Sequence, residues 1–126
     1  MKIFVAGTFD HFHVGHQWLL WSSVEQGSEV VVVVARDATV EKIKGFAPTF
    51  TEIQRLQRVQ QECLPKALVR LGDAQGNFCK TLEEENPDLV FLGYDQHCPI
   101  EVEAMATTQR CSAYFPEVFK SSFFRR

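Results

Sequence analysis

At 126 residues, 45% hydrophobic and 23% charged, the chain has the size and composition of one globular domain, residues 1–126, with a real core. A formal charge of −3 at pH 7 argues against a general nucleic-acid binder, which would present a basic face. It leaves room for a local basic pocket around an anionic ligand. Four cysteines, at positions 63, 79, 98 and 111, form no CxxC pair and read as buried thiols of a reduced, cytoplasmic protein. "MKIFVA" runs at once into Gly, Thr and Asp, which is not a secretory leader. "VVVVVA", Val30 to Ala35, is far short of the about 20 apolar residues of a membrane span.

In chain order, Lys2 to Ala6 predicts a short buried strand ended by Gly7. A helix follows over His13 to Gln26, with Val14, Trp18, Leu19, Trp21 and Val24 at helical spacing and Gly27 placed to stop it. Glu29 to Ala35 is a β-branched run of the kind buried on both faces of a parallel sheet. The segment from Arg36 to Phe50 reads as a loop. Thr51 and Gln54 fit a capping box opening a helix whose apolar side is Ile53, Leu56, Val59 and Leu64. Ala67 to Leu71 predicts a third strand, "GDAQGN" a turn, and Phe78 to Glu85 a short helix. Pro87 precedes a fourth strand over Asp88 to Leu92. A weaker helical pattern covers Pro99 to Arg110, and Ser112 to Phe115 reads as a last strand.

This alternation implies right-handed crossovers and an α/β fold. The expectation is a single Rossmann-like three-layer domain with a mainly parallel sheet of about five strands. Ligands of such folds bind beyond the carboxyl ends of the strands, near the topological switch point. Three loops are singled out in advance: residues 7–12, 36–50 and 93–99.

The first loop leads into "GTFDHFHVGH", with His11, His13 and His16 inside six residues. His13 and His16 are three apart, so both project from one face of the first helical turn. Gly15 between them lets a ligand approach the backbone. A helix N-terminus already attracts anions, and two imidazole donors there can stabilise charge growing on a transferring phosphoryl group. His11, outside the pair, reads as a solvated side chain, and Asp10 as a helix cap. A zinc reading of His13 and His16 would need a further ligand from His97 or Cys98, and phosphate handling is preferred.

"GTFDHFHVGH" resembles the GTFDxxHxGH signature of the cytidylyltransferase-like nucleotidylyltransferases. "VVVARDATVEKIKG", "EIQRL" and "PDLVFLGYDQ" extend the resemblance over most of residues 1–96, towards the archaeal-type FAD synthetases and away from the glycerol-3-phosphate cytidylyltransferases. The resemblance implies a catalytic His13, His16 and Lys44, with Lys42 as a second mobile cation. It implies nucleotide binding by Gly7, Thr8, Phe9, Gly15, Arg55, Gly93, Asp95 and Gln96. "KSSFFRR" matches the family's serine-rich phosphate-binding segment at Ser121 and Ser122, with Lys120 and Arg125 beside them. Arg55 is expected either to grip a phosphate bidentately or to be an exposed helical arginine.

The reaction implied is in-line attack by a phosphate oxygen of an acceptor on the α-phosphorus of ATP or CTP, with release of pyrophosphate. No enzyme nucleophile is required, and Mg²⁺ arrives on the triphosphate with no protein metal site. The favoured pair is FMN and ATP, giving FAD. Phe46, Phe50 and the run from Phe115 to Phe124 are then candidates for the apolar wall an isoalloxazine requires. The alternatives are a glycerol-3-phosphate or other polyol-phosphate cytidylyltransferase, and a nucleotide-binding regulatory module without turnover. A Phe- and Val-rich chain of this size is also expected to pair as a homodimer.

Overall fold

The alternating pattern of the sequence closes into one parallel sheet in the computed structural model, which describes residues 1–26, 29–63, 66–93 and 100–110. The elements are β1 (Lys2–Gly7), α1 (Val14–Gln26), β2 (Glu29–Val34), α2 (Asp37–Lys44), α3 (Glu52–Cys63) and β3 (Leu68–Leu71), then α4 (Phe78–Glu85), β4 (Leu89–Leu92), α5 (Ile100–Met105) and β5 (Thr108–Arg110). The strand order is β3-β2-β1-β4-β5, with every pair parallel. A parallel sheet takes helical crossovers on its faces, so the three layers follow.

The strand period of two sorts the core between those faces. Ile3 and Val5 of β1, Val30, Val32 and Val34 of β2, and Leu89 and Phe91 of β4 pack with Leu20 of α1 and Val59 and Cys63 of α3. Phe4, Val31, Val33, Val90 and Leu92 take the opposite side, with Leu82 of α4 and Val102 of α5. Cys63 and Cys79 carry free thiols, and burial beside Glu62 pushes Cys63 up to about 11. No described helix is long and apolar enough to cross a membrane.

Four expectations change. Residues 37–44, read as loop, form α2, ended by Gly45 in the left-handed conformation at φ 83°. The helix expected to reach Arg110 stops at Met105, and residues 108–110 add the edge strand β5 beside β4. The strand expected at 112–115 lies outside the described residues. On α1, Leu20 and Ser23 face inward; Trp18, Leu19 and Val24 are part-buried, and Val14 and Trp21 turn to solvent. On α3 the inward stripe is Arg55, Val59 and Cys63, one every four residues, while Ile53 is exposed.

Candidate active site

Strand β1 lies between β2 and β4, so the order reverses direction there and a crevice opens beyond its carboxyl end. The loop from Thr8 to His13 crosses that end. Phe9 and His11 have φ of 55° and 52°, a left-handed conformation uncommon outside glycine and one that stores strain at functional loops. Phe9 is 4% exposed, and its ring folds back over Gly7. A Cβ at Gly7 would lie 2.9 Å from that ring, so this position accepts only glycine without a shift.

The two HxGH histidines form the start of α1 themselves. His13 Nδ1 accepts a hydrogen bond from the Gly15 N–H at 3.0 Å, and His16 Nδ1 accepts from the His13 N–H at 3.2 Å. The His16-to-His13 bond is the return half of a capping box, built from an imidazole, while His13 caps the Gly15 N–H two residues on. A nitrogen that accepts from an N–H presents a lone pair, so each neutral ring carries its proton on Nε2. The sequence reading gave these histidines to phosphate handling and missed their structural task; the signal was their spacing of three, the same as Thr51 to Gln54.

His16 is enclosed by rings. Phe9 meets it edge-on at 5.4 Å, Phe12 lies at 5.2 Å and His13 stacks at 4.0 Å. Burial, then the charges of His13 and Lys44, lower its pKa from 6.5 to about 4. At pH 7 His16 is therefore a neutral donor. Lys44, at the last position of α2, is exposed and close enough for its charge to be felt at His16. Lys42, also exposed, sits on the same helix.

Arg55 departs from both expectations. It is 1% exposed, and four of its N–H groups are taken inside the protein. Nε donates to the Phe50 carbonyl at 3.0 Å, Nη1 to the carbonyls of Thr8 and Ala35 at 2.8 Å each, and Nη2 to Asp37 Oδ1 at 2.6 Å. The guanidinium expected to meet a phosphate faces inward instead. Asp10 does not cap α1: its carboxylate accepts from the Thr49 and Phe50 N–H groups at 2.8 and 3.1 Å, across the loops. His11, though exposed, has Nε2 2.8 Å from Thr49 Oγ1.

A cleft of about 210 Å³ opens beyond β1, β2 and β3, between α2 and α4. Its walls include Gly7, Thr8, Arg36, Thr39, Asn77 and Phe78. The last four were not singled out from sequence. A smaller pocket of about 180 Å³ lies beside Phe9, Phe12 and Phe50. Phe50 thus edges a pocket, whereas Phe46 is exposed on the linker between α2 and α3.

Gly93 ends β4 across the switch point, its carbonyl accepting from Arg110 Nη1 at 2.9 Å. Asp95, Gln96, Lys120, Ser121, Ser122 and Arg125 lie outside the described residues, as do His97 and Cys98. Among the described residues no three His, Cys, Asp or Glu side chains converge to hold a metal ion.

The cytidylyltransferase-like family matches residues 4–121. The FAD synthase of Thermoplasma acidophilum is 42% identical over 96 residues, 76% of this chain and 66% of that protein. The FAD synthase of Methanobrevibacter smithii is 38% identical over 113 residues, 86% of this chain and 72% of that one. The matched region thus spans about two thirds of these relatives. Among solved structures, a lipopolysaccharide core biosynthesis protein from Thermoplasma volcanium is 35% identical with a TM-score of 0.77, covering 90% of this chain and 98% of that one.

Proposed function

The chain belongs to the cytidylyltransferase-like family, and on that premise we propose that it is a nucleotidylyltransferase that joins FMN to the adenylyl group of ATP, forming FAD and pyrophosphate. The observation that carries the reading is the imidazole pair at the start of α1, with Nδ1 of each ring held by backbone and the donor placed on Nε2. Similarity to FAD synthases supports the choice of substrates.

The acceptor's phosphate oxygen attacks the α-phosphorus in line, and pyrophosphate leaves. Attack adds charge to the non-bridging oxygens, and His13 and His16 donate to those oxygens from Nε2. A donor fixed before the reaction needs no reorganisation when the charge appears. The exposed ammonium of Lys44 follows the phosphates as a mobile point charge. Gly7, Thr8, Phe9 and Gly15 bring backbone to the triphosphate, with Gly93 on the opposite side of the switch point; the family resemblance adds Asp95 and Gln96 to the nucleotide-binding set. The family resemblance assigns further phosphate binding to Lys120, Ser121, Ser122 and Arg125. Mg²⁺ enters as the triphosphate's own counter-ion.

The cleft between α2 and α4 receives the acceptor, with Val33 and Phe78 giving apolar wall and Thr39 and Asn77 polar edges. The protein works as a homodimer, a reading supported by Trp21, which is 56% exposed and stacked on Trp18; a monomer mass by light scattering at micromolar concentration would remove it. For the activity, protein, Mg²⁺, ATP or CTP, and FMN or glycerol 3-phosphate are incubated in every combination and resolved by chromatography. FAD from ATP and FMN is expected. Turnover of glycerol 3-phosphate with CTP and none of FMN would overturn the choice of substrates, and release of no pyrophosphate in any combination would leave a binding module.

A further inference from the structure

The largest fully buried side chain among the described residues is a cation, Arg55. Burying a guanidinium is costly unless its donors are matched. On the inward stripe it shares with Val59 and Cys63, an aliphatic residue would meet no such demand. Its hydrogen bonds go to particular places. Thr8 begins the loop after β1, Ala35 follows β2, Phe50 precedes α3, and Asp37 opens α2. All four points lie around the carboxyl end of the sheet.

We propose that Arg55 is a positioning residue of the transfer reaction, fixing α2, and with it Lys44, against the histidine pair without touching substrate. The proposal rests on the reading of Lys44, His13 and His16 as the phosphate-handling groups. Helix α2 is held at its start by the Arg55–Asp37 ion pair at 2.6 Å and by the Asp37 N–H, which donates to Glu52 Oε1 at 2.9 Å. Beyond its end, the Asp10 carboxylate clasps Thr49 and Phe50. Lys44 lies between these anchors, seven residues and so roughly 10 Å along the helix from Asp37. The same guanidinium holds the Thr8 carbonyl in the turn that leads to His13 and His16. One planar group therefore joins the lysine's helix to the histidines' loop. Lysine has no planar fork and cannot meet three carbonyls and a carboxylate at once.

The test compares the full-length parent protein with Arg55→Lys and Asp37→Asn, through steady-state kinetics with ATP and FMN and through the His16 ring titration followed by NMR without ligand. His13 and Lys44 are the titratable groups acting on that ring, and Phe9 and Phe12 enclose it. In Arg55→Lys, kcat is expected to fall about 100-fold, with the KM of either substrate little changed. The His16 titration should move up from about 4 towards its ordinary 6.5 as the Phe9–Phe12 loop loosens its burial of the ring and, secondarily, Lys44 draws away. Asp37→Asn should shift both readouts the same way by less, and the double variant should be no worse than Arg55→Lys, as for members of one network. An unmoved His16 titration with kcat retained in Arg55→Lys overturns the proposal. So does a rise confined to the KM of ATP, which would make Arg55 a phosphate ligand. If Arg55→Lys does not fold, Asp37→Asn decides by the same readouts. Because the titration requires no substrate, failure of the FMN reading remains distinguishable from failure of the positioning.

Discussion

Helices α1 and α3 both open with two backbone N–H groups bonded to first-turn side chains, reciprocally between Thr51 and Gln54 at α3 and in series, Gly15 to His13 and His13 to His16, at α1. At α3, Thr51 Oγ1 accepts from the Gln54 N–H at 3.2 Å, and Gln54 Oε1 accepts from the Thr51 N–H at 3.0 Å. At α1 the corresponding acceptors are Nδ1 of His13 and His16. The start of α3 is an ordinary surface cap, with Thr51 and Gln54 exposed. An imidazole differs from a hydroxyl or an amide oxygen in having a second nitrogen on the far side of a rigid ring. Using Nδ1 as the cap aims Nε2–H and fixes its tautomer. In α1 the device that satisfies the helix end is also the device that orients the donor.

Separating the two tasks gives the largest expected effect. His16→Ala removes both, and kcat should fall by about 10²–10³, as for loss of one preorganised donor to transition-state charge. His16→Asn keeps an acceptor oxygen near the place of Nδ1 and has nothing at Nε2. Its stability in urea should stay close to that of the parent while kcat falls as far as in His16→Ala. If His16→Asn is active, the Nε2 assignment is wrong.

The control at the other helix is smaller and purely structural. Gln54→Ala should lose about 1 kcal/mol of stability, the ordinary worth of a cap, with kcat unchanged. A large loss of activity there would mean that the two helix starts are not as distinct as their surroundings suggest.

A separate prediction concerns the pH dependence of the His16 contribution. Its folded pKa, about 4, lies below the ordinary 6.5, so between those values the unfolded chain binds a proton that the folded one does not. Stability should be fully present above pH 6.5 and fall as pH drops towards 4. His16→Asn removes this component, so the parent, close to the variant in stability at pH 7, should fall below it by pH 4.5, measured by urea unfolding at each pH.

The sequence shows the two helix starts unequally, for a physical reason. Thr-x-x-Gln is built from residues that cap in many proteins, so Thr51 and Gln54 are legible at once. His-x-x-His suggests chemistry first, and its capping appears only with the backbone in place. The strands are legible because β-branched runs such as Val30–Val34 fit a sheet buried on both faces. Helix α2 is hidden because its apolar residues are sparse and divided, Val40 buried and Ile43 exposed. Strand β5 is hidden because Thr108, Gln109 and Arg110 form a polar edge without alternation. Arg55 is misread because arginine normally faces water; the available signal was its place four residues before Val59, on the stripe that continues to Cys63.

The most direct test of the central claim is the proton map of the His16 ring. Long-range ¹H–¹⁵N spectra of the parent protein, recorded from pH 8 down to pH 4, report both the tautomer and the titration of each imidazole. The account predicts a neutral His16 with its proton on Nε2 throughout the range above about pH 5, titrating near 4. A proton on Nδ1, or a titration at the ordinary 6.5, would contradict it.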